Sequence, residues 1–472
     1  MQTECSDLQL EFQGLNHRRV VADFKGGRVS SDGGLLLLRE VAERTSLFEK
    51  LADCFDDRRD QDLIEFSVKD LVAQRVLAIA LGYEDLNDHD DLRDDALLAT
   101  AVGKADVEGN ERRQEKDRGH ALAGKSTLNR LELSDPHSEG EERYKKISYR
   151  SEAIDDLLVE YFLQMHKQQP ASIVLDLDAT DDPLHGSQQG RFFHGYYRHY
   201  CFLPLYITCG DDVLCARLRP SNIDGAAGSI EELERIVDKI RQRWPKTQII
   251  IRADSGFARE AILAWCEDHG LKYVIGLAKN DRLIRAIGAQ LQRVKRRHEK
   301  SQKAERCFKD FRYKTRKSWS RERRVVGKAE QLSGKSNPRF VVTNLAMRRY
   351  GARRLYEELY CARGDMENRI KEQQLDMFAD RTSCNPMYAN QLRLYFSTVA
   401  YLLVNELRRS GLAGTQMQRA QAGTIRCRLL KIGAVIKVSL RRVYVALSGA
   451  YPLKELFIEV LANIRRAHPL LV

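Results

Sequence analysis

The chain is poor in the features that would place it in several large protein classes. Ten prolines and 30 glycines in 472 residues, without a repeat, exclude collagen-like and Pro/Gly-rich disordered composition. No apolar run approaches the roughly 18 to 20 residues that a membrane span needs. Residues 1–12 carry acids where a signal peptide would carry a basic and then an apolar stretch, so a cytoplasmic protein with no membrane partner is expected. The ten cysteines, at 5, 54, 201, 209, 215, 266, 307, 361, 384 and 427, form no C-x-x-C pair and meet no histidine cluster. They are expected to be reduced thiols, with neither a zinc site nor a disulfide framework. What is present, 43% hydrophobic and 31% charged residues, describes a large globular protein. At roughly 150 residues per domain that means about three folding units.

The net charge of +11 is unevenly placed. Residues 293–328 hold sixteen Lys/Arg and four Asp/Glu, a net of +12, so the rest of the chain sums to about −1. Residues 51–100 hold fourteen acids and five Lys/Arg, a net of −9. A polyanion therefore has one obvious docking place, because cations that neutralise successive phosphates release counterions. A solvated face is the alternative for such a run.

Residues 34–150 read as helical, with Leu71, Val72, Val76 and Ile79 spaced by three and four up to a stop at Gly82. Residues 104–140 turn polar and glycine-rich, as loops and short helices do. Five β-branched runs then appear, at 172–178, 203–208, 213–218, 248–254 and 272–278, with helical stripes at 229–244 and 258–269. The order β-β-β-α-β-α-β predicts one mixed sheet flanked by helices. After a helix at 283–298, the basic segment alternates as strands do at 308–313, 323–326 and 339–343, and helical pattern returns from Gly351 through 376, at 391–407, 429–447 and 453–467.

Two of the strands close on carboxylates. Asp178 ends Ile173-Val-Leu-Asp-Leu, with Asp176 on the same face, and Asp254 ends Ile249-Ile-Ile-Arg-Ala. Aspartates there also serve as turn formers and helix caps. On the following helix Tyr360, Arg363, Glu367 and Lys371 share one face, since steps of three, four and four return to the starting azimuth. Exposed ion pairs at i,i+4 explain that face too. One carboxylate amid a tyrosine and two cations also suits a place where metal and phosphate meet. In the basic segment Phe308, Phe311, Tyr313 and Trp319 stand among cations that include Arg316 and Lys317. The first three fit a small core, whereas Trp319, between two serines, is the candidate for stacking on a base.

Leu175-Asp-Leu-Asp-Ala-Thr-Asp-Asp-Pro-Leu-His-Gly186, Phe202-Leu-Pro-Leu-Tyr206, Arg217-Leu-Arg-Pro-Ser-Asn-Ile-Asp-Gly225, Arg252-Ala-Asp-Ser-Gly-Phe257 and Gly276-Leu-Ala-Lys-Asn280 resemble the DDE-type transposases of bacterial insertion sequences. The group called IS thirteen-eighty is the nearest likeness. Gly82-Tyr-Glu-Asp-Leu-Asn-Asp-His-Asp-Asp-Leu-Arg93 and Thr424-Ile-Arg-Cys-Arg-Leu-Leu-Lys-Ile-Gly433 extend the likeness over nearly the whole chain.

The resemblance implies an α/β fold with an RNase H-like mixed-sheet core interrupted by a β-rich insertion, between helical N- and C-terminal regions. On that plan 1–150 is a helical DNA-binding or assembly region, 151–290 and 351–410 are the two parts of the core, 291–350 is the basic insertion, and 411–472 is the C-terminal region. It further implies that Asp178, Asp254 and Glu367 form a catalytic, metal-binding triad, with Asp178 preferred to Asp176 for its Asp-x-Thr context. Two Mg²⁺ ions are the implied cofactor, with Mn²⁺ as substitute. Tyr360, Arg363 and Lys371 correspond to the tyrosine-arginine-glutamate-lysine signature and would contact DNA; from the residues themselves, Trp319, Arg316 and Lys317 of the basic segment are expected to contact DNA too, and Arg252 could add positive charge beside the phosphate. Gln374 stands seven residues after Glu367, where the wider clan has lysine. The implied partners are double-stranded transposon ends and target DNA, bound by a homodimer or larger assembly at the nucleoid. A nuclease without strand transfer, a DNA-binding regulator without catalysis and an adaptor using residues 51–100 are the competing readings.

Overall fold

The computed structural model describes residues 9–137 and 146–469, so Cys5 and Gly140 lie outside the described residues. The chain divides into two compact units, one made of 49–58 and 132–405 and the other of 1–48, 59–131 and 406–472.

The unit of 132–405 is built on one large mixed sheet. Its strands are β1 (Ser172–Ala179), β2 (Leu205–Cys209), β3 (Asp212–Arg217), β4 (Gln248–Ala253), β5 (Lys272–Leu277), β6 (Glu305–Tyr313), β7 (Arg323–Leu332) and β8 (Arg339–Thr343). They lie in the order β3-β2-β1-β4-β5-β8-β7-β6, with the short Lys335–Ser336 strand paired to β7. β1, β4 and β5 are mutually parallel neighbours, and every other pairing is antiparallel. The parallel steps are the ones that need a helical crossover, which Ser229–Arg243 and Glu260–Asp268 supply. The five runs read from the sequence are thus five neighbouring strands.

The strands of the basic segment join this same sheet, where an interrupting insertion was expected. β8 pairs onto β5 with Leu277 opposite Phe340 and Val274 opposite Thr343. The physical reason is that β5 would otherwise expose an unpaired edge in the middle of an apolar layer.

Period-two alternation sorts the two faces. On β1, Ile173, Leu175 and Leu177 enter a core with Leu233, Ile236, Val237 and Ile240 of the Ser229–Arg243 helix. Each such side chain contributes roughly 1.5 to 3 kcal/mol on burial. Val174, Asp176 and Asp178 alternate with them and belong to the other face. Farther along that face, Val274, Val326 and Val341 pack against Leu355 and Tyr356 of the helical segment 352–376.

In the other unit, the helix Val68–Leu81 begins at a capping box of Ser67 and Asp70 and ends at Gly82, whose φ of 100° only glycine adopts readily. It is buried on nearly all sides, where the sequence indicated a single stripe. Arg75 is enclosed because its guanidinium donates to the carbonyls of Tyr83 and Glu84, at 3.3 and 2.7 Å.

The terminal regions are less helical than expected. Leu10–Leu15 pairs with Arg18–Ala22, and Ala434–Ser439 and Arg442–Leu447 form a hairpin that also pairs with Arg28–Ser30. The sequence Val-Ile-Lys-Val-Ser and then Arg-Val-Tyr-Val alternates and is β-branched, which favours strands over the helix expected at 429–447. Among the described residues no helix is long and apolar enough to cross a membrane, and every described cysteine is a free thiol.

Candidate active site

β1 and β4 run parallel, with Ala253 opposite Leu177. Asp178 and Asp254 each stand one step beyond these paired residues, so two carboxylates leave adjacent strands at the same end. Asp254 also caps a tight turn, Ser255–Phe257, its Oδ1 accepting from the Gly256 amide at 2.8 Å. The capping role weighed from sequence is therefore real, and it fixes the direction of the carboxylate.

Glu367 comes from the helical segment 352–376, which is irregular. Wide π turns at Leu355–Tyr360 and Glu372–Asp376 bracket a tight turn, Cys361–Arg363, and a regular stretch, Gly364–Lys371. Such bulges re-aim side chains and recur at functional sites. Arg363 bridges two of the acids, with Nη1 at 3.4 Å from Asp178 Oδ1 and Nη2 at 2.7 Å from Glu367 Oε1.

Burial pushes the Asp178 carboxyl up to about 6; the Arg363 charge opposes this, and the charges of Asp254 and Glu367 add to it. Both of the other acids therefore act on Asp178. Tyr360 is pushed up by burial and by Asp254, with Arg363 opposing. Its hydroxyl lies over Gly276, where a Cβ would stand 2.5 Å from the oxygen and 2.9 Å from the Ser255 amide nitrogen. Any larger residue there would collide with tyrosine or backbone. Beside Tyr360 opens a pocket of about 270 Å³ lined by Ser255, Lys279, Arg339 and Tyr356. Lys371 is exposed one turn beyond Glu367.

Asp176 is excluded from this group by its own partner. Arg252, its parallel neighbour, donates from Nε at 2.5 Å and Nη2 at 2.6 Å to the two carboxylate oxygens, and from Nη1 at 2.6 Å to the Leu359 carbonyl. Both side chains are buried. Arg252 is thus not available as a phosphate contact: its three bonds tie β1, β4 and the helix of Tyr360 together. Gln374 makes a second tie, donating to the Asp182 carboxylate at 2.9 Å and the Asp181 carbonyl at 3.3 Å.

Trp319 also differs from expectation. It is only 4% exposed, edge-on to Tyr313 at 5.8 Å, with the Arg323 guanidinium 5.4 Å from its ring centre. Arg323 in turn pairs with Glu260 and Glu267 at 2.6 and 2.8 Å. A buried indole has no face to give a base, so Trp319 anchors the loop between β6 and β7. Arg316 and Lys317 are exposed on that loop. Lys279, Arg339 and the Gln374–Asp182 tie were not singled out from sequence; Lys279 lay within a quoted motif.

As donors the three carboxylates suit a hard divalent cation. Among the described residues no three acidic, histidine or cysteine side chains converge on one point as they would around an ion, and the cation bridging Asp178 and Glu367 is the Arg363 guanidinium.

No curated protein matches the chain. Among solved structures, the piggyBac transposase in a synaptic complex with hairpin DNA is 12% identical, with a TM-score of 0.38 over 93% of this chain and 86% of that one. The family described as "Transposase DDE domain group 1" matches residues 12–469. That match spans both units and all three carboxylates, and the protein belongs to this family of DNA-cleaving and DNA-transferring enzymes.

Proposed function

We propose that this protein is a transposase of the IS thirteen-eighty type that cleaves DNA at the ends of its element and joins the freed 3′-hydroxyl to target DNA. The observation that carries this reading is geometric: Asp178 and Asp254 leave adjacent parallel strands at the same end, and Arg363 bridges Asp178 to Glu367 of the neighbouring helix at 3.4 and 2.7 Å. The strand order β3-β2-β1-β4-β5, antiparallel then parallel, supports an RNase H-like core for it.

Asp178, Asp254 and Glu367 would hold two Mg²⁺ ions, or Mn²⁺ in their place. Such ions activate a hydroxyl nucleophile and stabilise the leaving oxygen of an in-line displacement at phosphorus. The chain's own contribution is positional. Asp254 is aimed by its capping bond, and Glu367 is held against the sheet by the Arg252 and Gln374 ties. Arg363, released from its two carboxylates, faces the non-bridging oxygens of the scissile phosphate, where a guanidinium neutralises developing charge. Lys371, Lys279 and Arg339 offer further cations for the backbone, and Tyr360 closes the wall of the pocket. Hydrolysis and joining use the same site because only the hydroxyl nucleophile changes. Two ends must be brought together, so the working form is a homodimer or larger on double-stranded DNA.

The test is strand-specific cleavage and joining with Mg²⁺ of DNA carrying the element's ends, by native protein, Asp254→Ala and Glu367→Ala. The native protein should nick and join, and each variant should bind but do neither, losing at least 10²-fold in rate. Variants that cut as well as the native protein would overturn the triad. Cutting without joining would leave a nuclease, and binding without cutting a regulator.

A further inference from the structure

The segment between β1 and β2 contains a hairpin, Phe192–His194 paired with His199–Phe202, that the proposed chemistry does not use. It carries an unusual load of exposed aromatic surface: Phe192 is 42% exposed, Phe193 58%, Tyr196 84% and Tyr200 44%. Isolated exposed rings are ordinary, but four on one short hairpin form a patch.

Within residues 183–202 the charged side chains are two arginines, with no acid; the nearest acids, Asp181 and Asp182, stand at the root of the hairpin. The Arg191 guanidinium lies 4.2 Å from the centre of the Tyr200 ring, and Phe193 meets Tyr200 edge-on at 5.7 Å. Tyr196 stands perpendicular to Tyr197 at 5.0 Å and still leaves most of its ring to solvent. Rings with open faces beside cations match nucleobases attached to phosphates.

The hairpin is rooted at the candidate active site. Its outer strand continues the chain back to Asp182, which is paired with Phe202. Tyr197 Oη donates to the Ala179 carbonyl at 3.4 Å, directly after Asp178, and its hydroxyl feels the charges of Asp181 and Asp178. His199 Nε2 lies 2.7 Å from Asp181 Oδ2. The turn is held in shape by the Arg198 amide bonding the His194 carbonyl at 2.8 Å. A strand whose phosphate lies at Asp178 therefore has its next nucleotides beside this hairpin.

We propose that the 192–202 hairpin captures unpaired nucleotides adjoining the cleavage point, with a base stacked on Tyr196 and its neighbour on Phe193, while Arg191 and Arg198 hold the backbone. This rests on the transposase reading and adds to it a site for unpaired DNA. Duplex bases present only their edges, so the ring faces discriminate opened from closed DNA.

The test measures binding, by fluorescence anisotropy in EDTA, of a fluorescein-labelled duplex and of the same duplex with a short unpaired stretch. The native protein should prefer the opened DNA. Tyr196→Ala and Phe193→Ala should each lower affinity for opened DNA about tenfold, while changing duplex affinity less than twofold. Tyr196→Phe should restore the preference. Quenching of 2-aminopurine in the unpaired stretch should be lost in Tyr196→Ala, and circular dichroism melting shows whether the variants fold. If native protein binds and cuts DNA while the variants keep its preference, or lose both DNAs equally, the hairpin proposal is wrong and the transposase reading stands. A change only in oligomeric state would likewise assign the patch to a second copy. If native protein binds neither DNA, the transposase reading itself fails.

Discussion

Replacing Asp182 with asparagine should stabilise the protein, and by an amount that grows with pH. Asp182 is fully buried four residues after Asp178. One carboxylate oxygen accepts from Gln374 at 2.9 Å, and the other is buried with no hydrogen-bond partner. Burial is the main reason that its carboxyl is pushed up to about 7, with Gln374 opposing and the charges of Asp380 and Asp181 adding. A raised carboxyl pKa means that the folded state holds a proton which the unfolded chain, titrating near 3.9, has released. Stability must therefore fall as pH rises from about 4 to about 7, by roughly 1.4 kcal/mol per pH unit, and level off above. Asparagine keeps the oxygen that Gln374 needs and cannot ionise, so it lacks this slope. Between pH 5 and pH 8 the advantage of Asp182→Asn over native protein should rise by about 3 kcal/mol. Urea unfolding of both proteins at the two pH values measures this directly, because every other titrating group is common to both. In thermal melts the same change is on the order of 5 °C. A difference that stays flat between pH 5 and pH 8 would show that Asp182 ionises normally and that the burial argument is wrong.

Arg252→Met should leave Asp176 as a buried, unpaired charge and cost about 3 to 5 kcal/mol in urea unfolding, with the Asp176→Leu/Arg252→Met double variant recovering most of it; a variant of native stability with weakened DNA binding would instead make Arg252 a phosphate contact. Trp319→Ala should cost about 3 to 5 kcal/mol by cavity formation, read the same way. By contrast Arg316→Ala with Lys317→Ala should leave stability within about 0.5 kcal/mol. That pair should make the salt dependence of DNA binding shallower by about two in the log–log slope, and an unchanged slope would remove both residues from the interface.

What was legible in the sequence follows from the range of the interactions involved. Period-two runs such as Ile173-Val-Leu-Asp-Leu-Asp178 and the stripe of Leu233, Ile236, Val237 and Ile240 are local, so the strands, the crossover helices and the emergence of Asp178 and Asp254 at strand ends could be read without coordinates. The ambiguity between Asp176 and Asp178 could not be resolved locally. What distinguishes their surroundings is the register of β1 against β4, which sets Arg252 opposite Asp176 across 76 residues of sequence. Trp319 misled for a related reason: flanking serines say that the neighbours are wet, but the loop folds the central ring inward onto Tyr313 and Arg323, which belong to the two strands that it joins. At the C-terminus the leucines at 429 and 430 continue a helical turn, Arg426–Leu430, and this masked the change of period at Ala434.

The same distinction explains why the helix face of Tyr360, Arg363 and Glu367 was visible while its supports were not. A face is a property of one helix, whereas its placement depends on bonds made to other elements. Arg252 reaches Leu359 just before Tyr360, and Gln374 reaches Asp182 one helical stretch after Glu367, so the two ties hold the helix on either side of its candidate site residues. Gln374 stands seven residues after Glu367, and a lysine in its place would set an ammonium against the buried Asp182 carboxylate. A neutral amide instead satisfies one oxygen of a carboxyl that is half protonated near pH 7. Gln374 is therefore matched to Asp182, and cations stand elsewhere, at Lys371 one turn beyond Glu367 and at Lys279 and Arg339 lining the pocket beside Tyr360.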